Sequence, residues 1–222
     1  NLMPVTINGD GSITGLAVGG LPDGCVDADT LASNSVTTAK LHNDAVTNSK
    51  LPSGSVIQAN SAVLTTVLDA YLSSMTTWRI GGTTGSSFGV TITPTSASNK
   101  ILFWGQISVS VTGPQYNIGC HVMKYIGSGS SEIIDGSQAV AAGSRKRCHS
   151  ITEMNHSENS MQTVPFSYLD TAGQTSQLIY TVGIHNPSST TRTTKINSTI
   201  TDSDNQYTPR AASVLNVLEI KA

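Results

Sequence analysis

Val26, Leu31, Val36, Leu41, Val46, Leu51 and Val56 recur at every fifth position among Ser, Thr, Asn, Asp and Lys. The underlying unit is ten residues long: SNSVTTAKL (Ser33–Leu41) is followed by NDAVTNSKL (Asn43–Leu51). A period of five fits neither regular element. On an α-helix successive apolar residues would fall about 140° apart and smear around the cylinder. On a strand an odd step sends the side chain to the opposite face. Each unit must therefore contain a turn. A single helical turn is expected at Thr37–Leu41 and at Thr47–Leu51, alternating with extended residues and capped by Thr37 or Thr47. One unit carries only two sizeable apolar side chains, and burying them recovers much less than ordering ten residues costs. Three chains around a shared axis change that balance, because each Val and Leu then meets its copies. The seven residues are thus expected to form the core of a trimeric stalk. A disordered linker is the competing reading, and the strict register argues against it.

Beyond Ser55 the pattern becomes strand-like. Runs suited to strands lie at Val63–Leu72, Phe88–Thr93, Ile101–Val111, Tyr116–Ile126, Glu132–Ile134, Gln162–Leu169, Gln177–Ile184, Lys195–Ile200 and Ser213–Ile220, with alternation clearest at 107–111 and 215–220. Thr93-Pro94, Gly113-Pro114, Gly127-Ser128-Gly129, Ala172-Gly173, Asn186-Pro187 and Asp202–Asn205 supply turns. Ala139–Met161 is a polar interruption, expected to hold a short helix or an excursion. Strands without a long amphipathic helix predict an all-β fold, a sandwich or jelly-roll head preceded by an intertwined, repeat-containing stalk. The expected division is a short-strand docking segment at 1–22, the stalk at 23–58 and the head at 59–222.

Composition narrows the function classes. Charged residues make up 12% of the chain and the net charge is −2, so no broad basic field draws in nucleic acid. No apolar run approaches the ~20 residues needed to cross a bilayer, and no secretory signal is expected. Cys25, Cys120 and Cys148 are odd in number and widely spaced, which suggests reduced thiols in a protein assembled in a cytosol.

Several segments resemble a known family. The opening INGDGSITGLAVGGLPDG with VDADTLA is similar to the start of marine and cyanobacterial phage fibre-like proteins, and SVTTAKL and AVTNSKL resemble their stalk repeats. GVTITPTSASNKILFWGQISVS (Gly89–Ser110), Gly143-Ser144-Arg145, PFSYLDTAG (Pro165–Gly173) and RAASVLNVLEIKA (Arg210–Ala222) resemble their C-terminal module. The resemblance implies a homotrimeric fibre whose β-sandwich heads pack around a threefold axis. Its partners would be other virion proteins of tail, neck or capsid, and a host-surface glycan or outer-membrane receptor. A capsid decoration protein or head fibre is the alternative. Trp104, the two Cys-His pairs and Arg145-Lys146-Arg147 depart from the family pattern, so host and receptor do not carry over.

Candidate chemistry is sparse. Cys120-His121 and Cys148-His149 invite a zinc reading, but neighbours on a strand point to opposite faces, so buried Cys and surface His are expected and no metal or cofactor. Asp202, Asp204 and Asn205 carry oxygen ligands without an EF-hand pattern and read as a turn. No G-x-S-x-G elbow, P-loop or dinucleotide fingerprint occurs, and the carboxylates show no spacing that hydrolysis requires. Binding without catalysis is the expectation. Arg145, Lys146, Arg147 and His149 would meet an anionic glycan or phosphate through fixed donors; a solvated loop, or salt bridges to a neighbouring chain, is the other reading. Tyr116 and Tyr207, in loops, would offer ring faces to sugars. Trp78 and Trp104 are expected in the core.

Overall fold

A computed structural model describes residues 6–10, 13–15, 26, 31–74, 76–80, 88–113, 117–126, 132–153 and 159–222. They belong to two compact units, Asn1–Lys50 and Leu51–Ala222.

In the first unit β1 (Thr6–Ile7) pairs antiparallel with β2 (Ile13–Thr14). From Leu31 the repeat in sequence is a repeat in backbone. The Ser35 amide closes a turn on the Ala32 carbonyl, and a 3-10 turn follows at Thr38–Lys40. In the next copy Ala45 closes on His42 and the 3-10 turn is Asn48–Lys50. Each turn has one left-handed residue, Asn34 (φ 63°) and Asp44 (φ 65°), residue types that tolerate this region through their short polar side chains. The lysine of each copy reaches back: Lys40 Nζ donates to the Ser35 carbonyl (2.7 Å) and Lys50 Nζ to that of Ala45 (2.6 Å). The expected helical turns are therefore present as single 3-10 turns. Thr37 does not cap with its side chain, and the Thr47 hydroxyl is bonded to that of Ser49 (2.8 Å).

The second unit opens on a third copy of the turn, Ser55 on Pro52, with Gly54 at φ 88° in the left-handed position. A strand, not a 3-10 turn, follows it. Strand pairing thus begins earlier than residue 59: β3 (Val56–Leu64) starts at Val56, which is partnered with Ile220.

Eleven further strands complete a sandwich: β4 (Leu68–Leu72), β5 (Thr77–Arg79), β6 (Val90–Ile92), β7 (Lys100–Val111), β8 (Asn117–Ile126), β9 (Glu132–Ile133), β10 (Ser150–Glu153), β11 (Gln162–Thr171), β12 (Leu178–His185), β13 (Arg192–Ile196) and β14 (Ser213–Ile220). In the first sheet β7 is central. It has β11 on one side and β14 and β13 end to end on the other, with β3 and β4 beyond those. In the second sheet β8 and β12 are central, edged by β9 and β10 on one side and β5 and β6 on the other. Every pairing is antiparallel, so this is a jelly-roll-like β-sandwich. Among the described residues no helix is long and apolar enough to cross a membrane.

Alternation fills the space between the sheets. Ile101, Phe103, Ile107 and Val109 of β7 meet Cys120, Val122, Tyr180 and Val182 of the facing strands, all fully buried. Phe103 stacks at 5.0 Å from Phe166 and 5.4 Å from Tyr180, between centroids. Two carboxylates lie within this framework. Asp170 accepts from Lys124 Nζ (2.7 Å) and Tyr180 Oη (2.9 Å). Glu219, with no exposed surface, accepts from Thr95 N (2.7 Å), Thr95 Oγ1 (2.9 Å), Asn99 Nδ2 (2.6 Å) and Gln58 Nε2 (2.5 Å). Thr95 and Asn99 tie the last strand to the loop before β7, and Gln58 ties it to β3. Burial alone would raise the Glu219 pKa; the hydrogen bonds from Asn99, Gln58 and Thr95 outweigh it and hold the carboxyl below its usual value.

Candidate functional site

The repeats display apolar side chains that their own chain leaves uncovered. Val26, Leu31, Val36, Leu41, Val46 and Val56 are all exposed, Val46 to 60%, and neither 3-10 turn buries a residue. Leu51 is half-buried. Among the described residues of the two 3-10 repeats none is fully buried, so this regular backbone presents one Val or Leu every five residues to whatever lies beside it.

The residues expected to meet a receptor fall in separate places. Arg145, Lys146 and Arg147 line a depression of 340 Å³ together with Ile133, Asp135, Gln138, Ala141 and Gly143. Gly143 (φ 60°) turns the backbone there, and the Arg145 amide closes on the Ala142 carbonyl. Arg147 Nη2 lies 3.2 Å from Asp135 Oδ1 of the same chain. Both partners are well exposed, so this pair adds little stability, and Arg145 and Lys146 remain on the lip of the depression. His149 turns elsewhere: its Nδ1 is 2.8 Å from the Ser137 carbonyl, and its ring is edge-on to Tyr168. Tyr207 is 70% exposed on another loop, beside a depression of 400 Å³ lined by Asp202, Ser203, Asp204, Asn205, Thr208 and Arg210. There Arg210 grips Asp202 through Nε–Oδ1 and Nη2–Oδ2 bonds of 3.0 Å each. Those bonds, and one from Ser198, lower the Asp202 pKa to about 2. Tyr116 lies outside the described residues.

The two Cys-His pairs divide as strand geometry requires. Cys120 points into the core and His121 to the outer face of the second sheet. Burial pushes the Cys120 thiol up to about 12, which leaves it protonated and unreactive. His121 corrects the surface expectation, for it and His185 are both fully buried. The segment at Cys148 and His149 lies along β8, with the His149 amide on the Cys120 carbonyl, and brings Cys148 Sγ to 3.9 Å from His121 Nε2. Glycines make the room: Gly183 pairs with His121 and Gly119 with His185, and a Cβ on Gly119 would meet Cys148 Sγ at 2.3 Å. The two imidazoles stand edge to face at 5.9 Å. Burial, then the neighbouring His185 and Lys146, lowers the His121 pKa to about 4. Among the described residues no three His, Cys, Asp or Glu side chains converge as a metal site.

Trp104 is the surface residue that the sequence reading assigned to the core. Phe103 and Gly105 flank it on β7, so parity turns it outward. With Leu102, Gly105, His149, Pro165, Phe166 and Ser167 it lines an open depression of 740 Å³.

The class these features define is an antiparallel two-sheet sandwich joined to a short repeat array. No family model matches the chain, and no curated protein does. A solved structure described as infectious bursal disease virus, Gx strain, is similar over 75% of this chain and 41% of that one, at 11% identity and a TM-score of 0.29. At that level the likeness carries no argument, and the chain spans less than half of the one it matches.

Proposed function

We propose that this chain is a homotrimeric virion appendage of a tailed phage, a short fibre whose head attaches to the host surface by binding alone. The observation that carries this reading is the regular array of exposed Val and Leu along residues 26–56. Such an array is held in register by turns and lysine contacts, yet among its described members only Leu51 is even half-buried within one chain; copies of itself around an axis are the partner that repeats with the same spacing. The fibre is assembled in the host cytoplasm and mounted on other virion proteins. Three heads bring avidity, so weak contacts to a host glycan or outer-membrane receptor add up to firm attachment. Arg145 and Lys146, on the lip of a turned loop, suit the anionic groups of such a glycan.

Antibody against the head, applied to intact particles, tests the assignment. Labelled tail structures and blocked adsorption are the expected result. Labelled shells with unchanged adsorption would replace this reading with capsid decoration or a head fibre.

A further inference from the structure

The outer face of the first sheet has an unusual polarity. Strand register arranges its outward residues in rows across β3, β14, β7 and β11: Ala59, Leu218, Leu102 and Leu169; then Ser61, Asn216, Trp104 and Ser167; then Val63, Val214, Gln106 and Pro165. None of these twelve residues is charged. Val63 is 59% exposed and Leu169 52%. The far end of the same face, on β4 and β13, is different: Asp69 and Lys195 stand opposite each other with Nζ 3.8 Å from Oδ1, and Tyr71 stands beside them. The solvated face of an antiparallel sheet is normally polar, and its edge strands are guarded by charge. Here the charge lies at the two ends, Lys100 in the row with Ile220 and Thr171 and the Asp69–Lys195 pair at the other, and the three rows between carry none.

We infer that the uncharged rows of this face are the seam between heads, where they meet the same face of other copies about the shared axis. The occupant follows from continuity. The pentad of Val and Leu ends in Val56, and Val56 is also the first residue of β3, the edge strand of this face. The chain passes from its last repeat through the row of Val56, Ile220, Lys100 and Thr171 into the uncharged rows, which lie in the half of the face next to that entry. Copies joined through the repeats are held at high effective concentration there. Like faces can meet because the rows oppose no charge to themselves, and Ser61, Asn216, Ser167 and Gln106 supply neutral groups that both donate and accept. Lys100, at the border, is already bonded to Thr171 Oγ1 (2.8 Å). The 740 Å³ depression around Trp104 lies within these rows, which makes it a packing surface between chains and His149 a residue at its rim. This inference rests on the self-association reading above.

The test uses the full chain. Leu218→Glu would set like charges against each other at the seam. The expected result is an unchanged oligomer mass with a lower sedimentation coefficient, as heads separate while the repeats stay joined. Because a charge on the sheet also burdens the fold, Asn216→Cys with a short bismaleimide serves as the milder probe. It should give interchain products, and Tyr207→Cys, off the face, should give only what the unsubstituted chain gives. A wild-type oligomer that neither sediments differently with Leu218→Glu nor cross-links through Asn216→Cys would overturn the seam and leave the stalk standing. A monomeric wild-type chain would remove both.

Discussion

Acid should loosen the head through His121. The ring is fully buried, its Nδ1 has no hydrogen-bond partner, and its neighbours are His185 at 5.9 Å between centroids and Cys148 Sγ at 3.9 Å from Nε2. It therefore sits neutral, with a pKa of about 4 against an ordinary value of 6.5. Between those values the unfolded chain takes up a proton that the folded chain refuses. Stability from this group is complete above pH 6.5, falls as the pH drops toward 4 and is level below that. The gap corresponds to about 3 kcal/mol, and His185, whose pKa burial also lowers, acts in the same direction. Urea unfolding at fixed protein concentration, measured from pH 7.5 to 4.5, should show this loss. His121→Leu fills a similar space without a titrating ring and should flatten much of the slope. Equal stability at pH 7.5 and 4.5, or a slope untouched by His121→Leu, would refute the reasoning.

Five other substitutions probe separate parts of the account. Glu219→Ala strips the partner from Thr95 N, Asn99 Nδ2 and Gln58 Nε2 and should cost about 3 kcal/mol in denaturant melts; in the native chain this clamp should weaken only below about pH 4.3, the ordinary glutamate value. Gly105→Ala places a Cβ 2.0 Å from the Val214 carbonyl oxygen, a backbone atom that cannot move aside, and should lower stability by about 3 kcal/mol by overpacking the β7–β14 pair. Gly54→Val forces a β-branched residue to φ 88° and should destabilise by about 1–2 kcal/mol, whereas Asn34→Gly and Asp44→Gly, at the equivalent positions of the earlier copies, should be nearly neutral; thermal melting compares the three.

Where alternation was long, the sequence predicted the strand: β7, β8, β11 and β14 lie close to their expected limits. Short β6 and β9 fall inside expected runs, but two other short strands carry no such signal. The strands Thr77–Arg79 and Ser150–Glu153 have three and four residues and include charged ones, so neither period nor composition marks them. The first runs also shifted. Val63–Leu72 was read as one strand, but it is two, broken before Leu68, and the earlier strand starts at Val56. Lys195–Ile200 was read as continuous, yet Asn197 takes φ 65° and ends the strand at Ile196, bonding through its side chain to the Leu64 and Thr66 carbonyls. Such a tertiary anchor leaves no periodic trace. Trp104 was legible in principle, because Ile101, Phe103 and Ile107 fix the inward parity of β7. The burial of His121 was not, since it depends on a distant segment, at Cys148, folding back over the sheet. The ten-residue repeat was legible as spacing, and its left-handed turns at Asn34, Asp44 and Gly54 only became visible in the backbone.

The central claim is that one chain leaves its repeats uncovered and that copies of it complete them. Sedimentation equilibrium of the full chain at micromolar concentration measures this directly. Three chains of 23.1 kDa predict a species of about 69 kDa, and replacing Leu31, Val36, Leu41 and Val46 by Ser should reduce it toward single chains. A compact, stable 23.1 kDa species, unaffected by those replacements, would contradict the account.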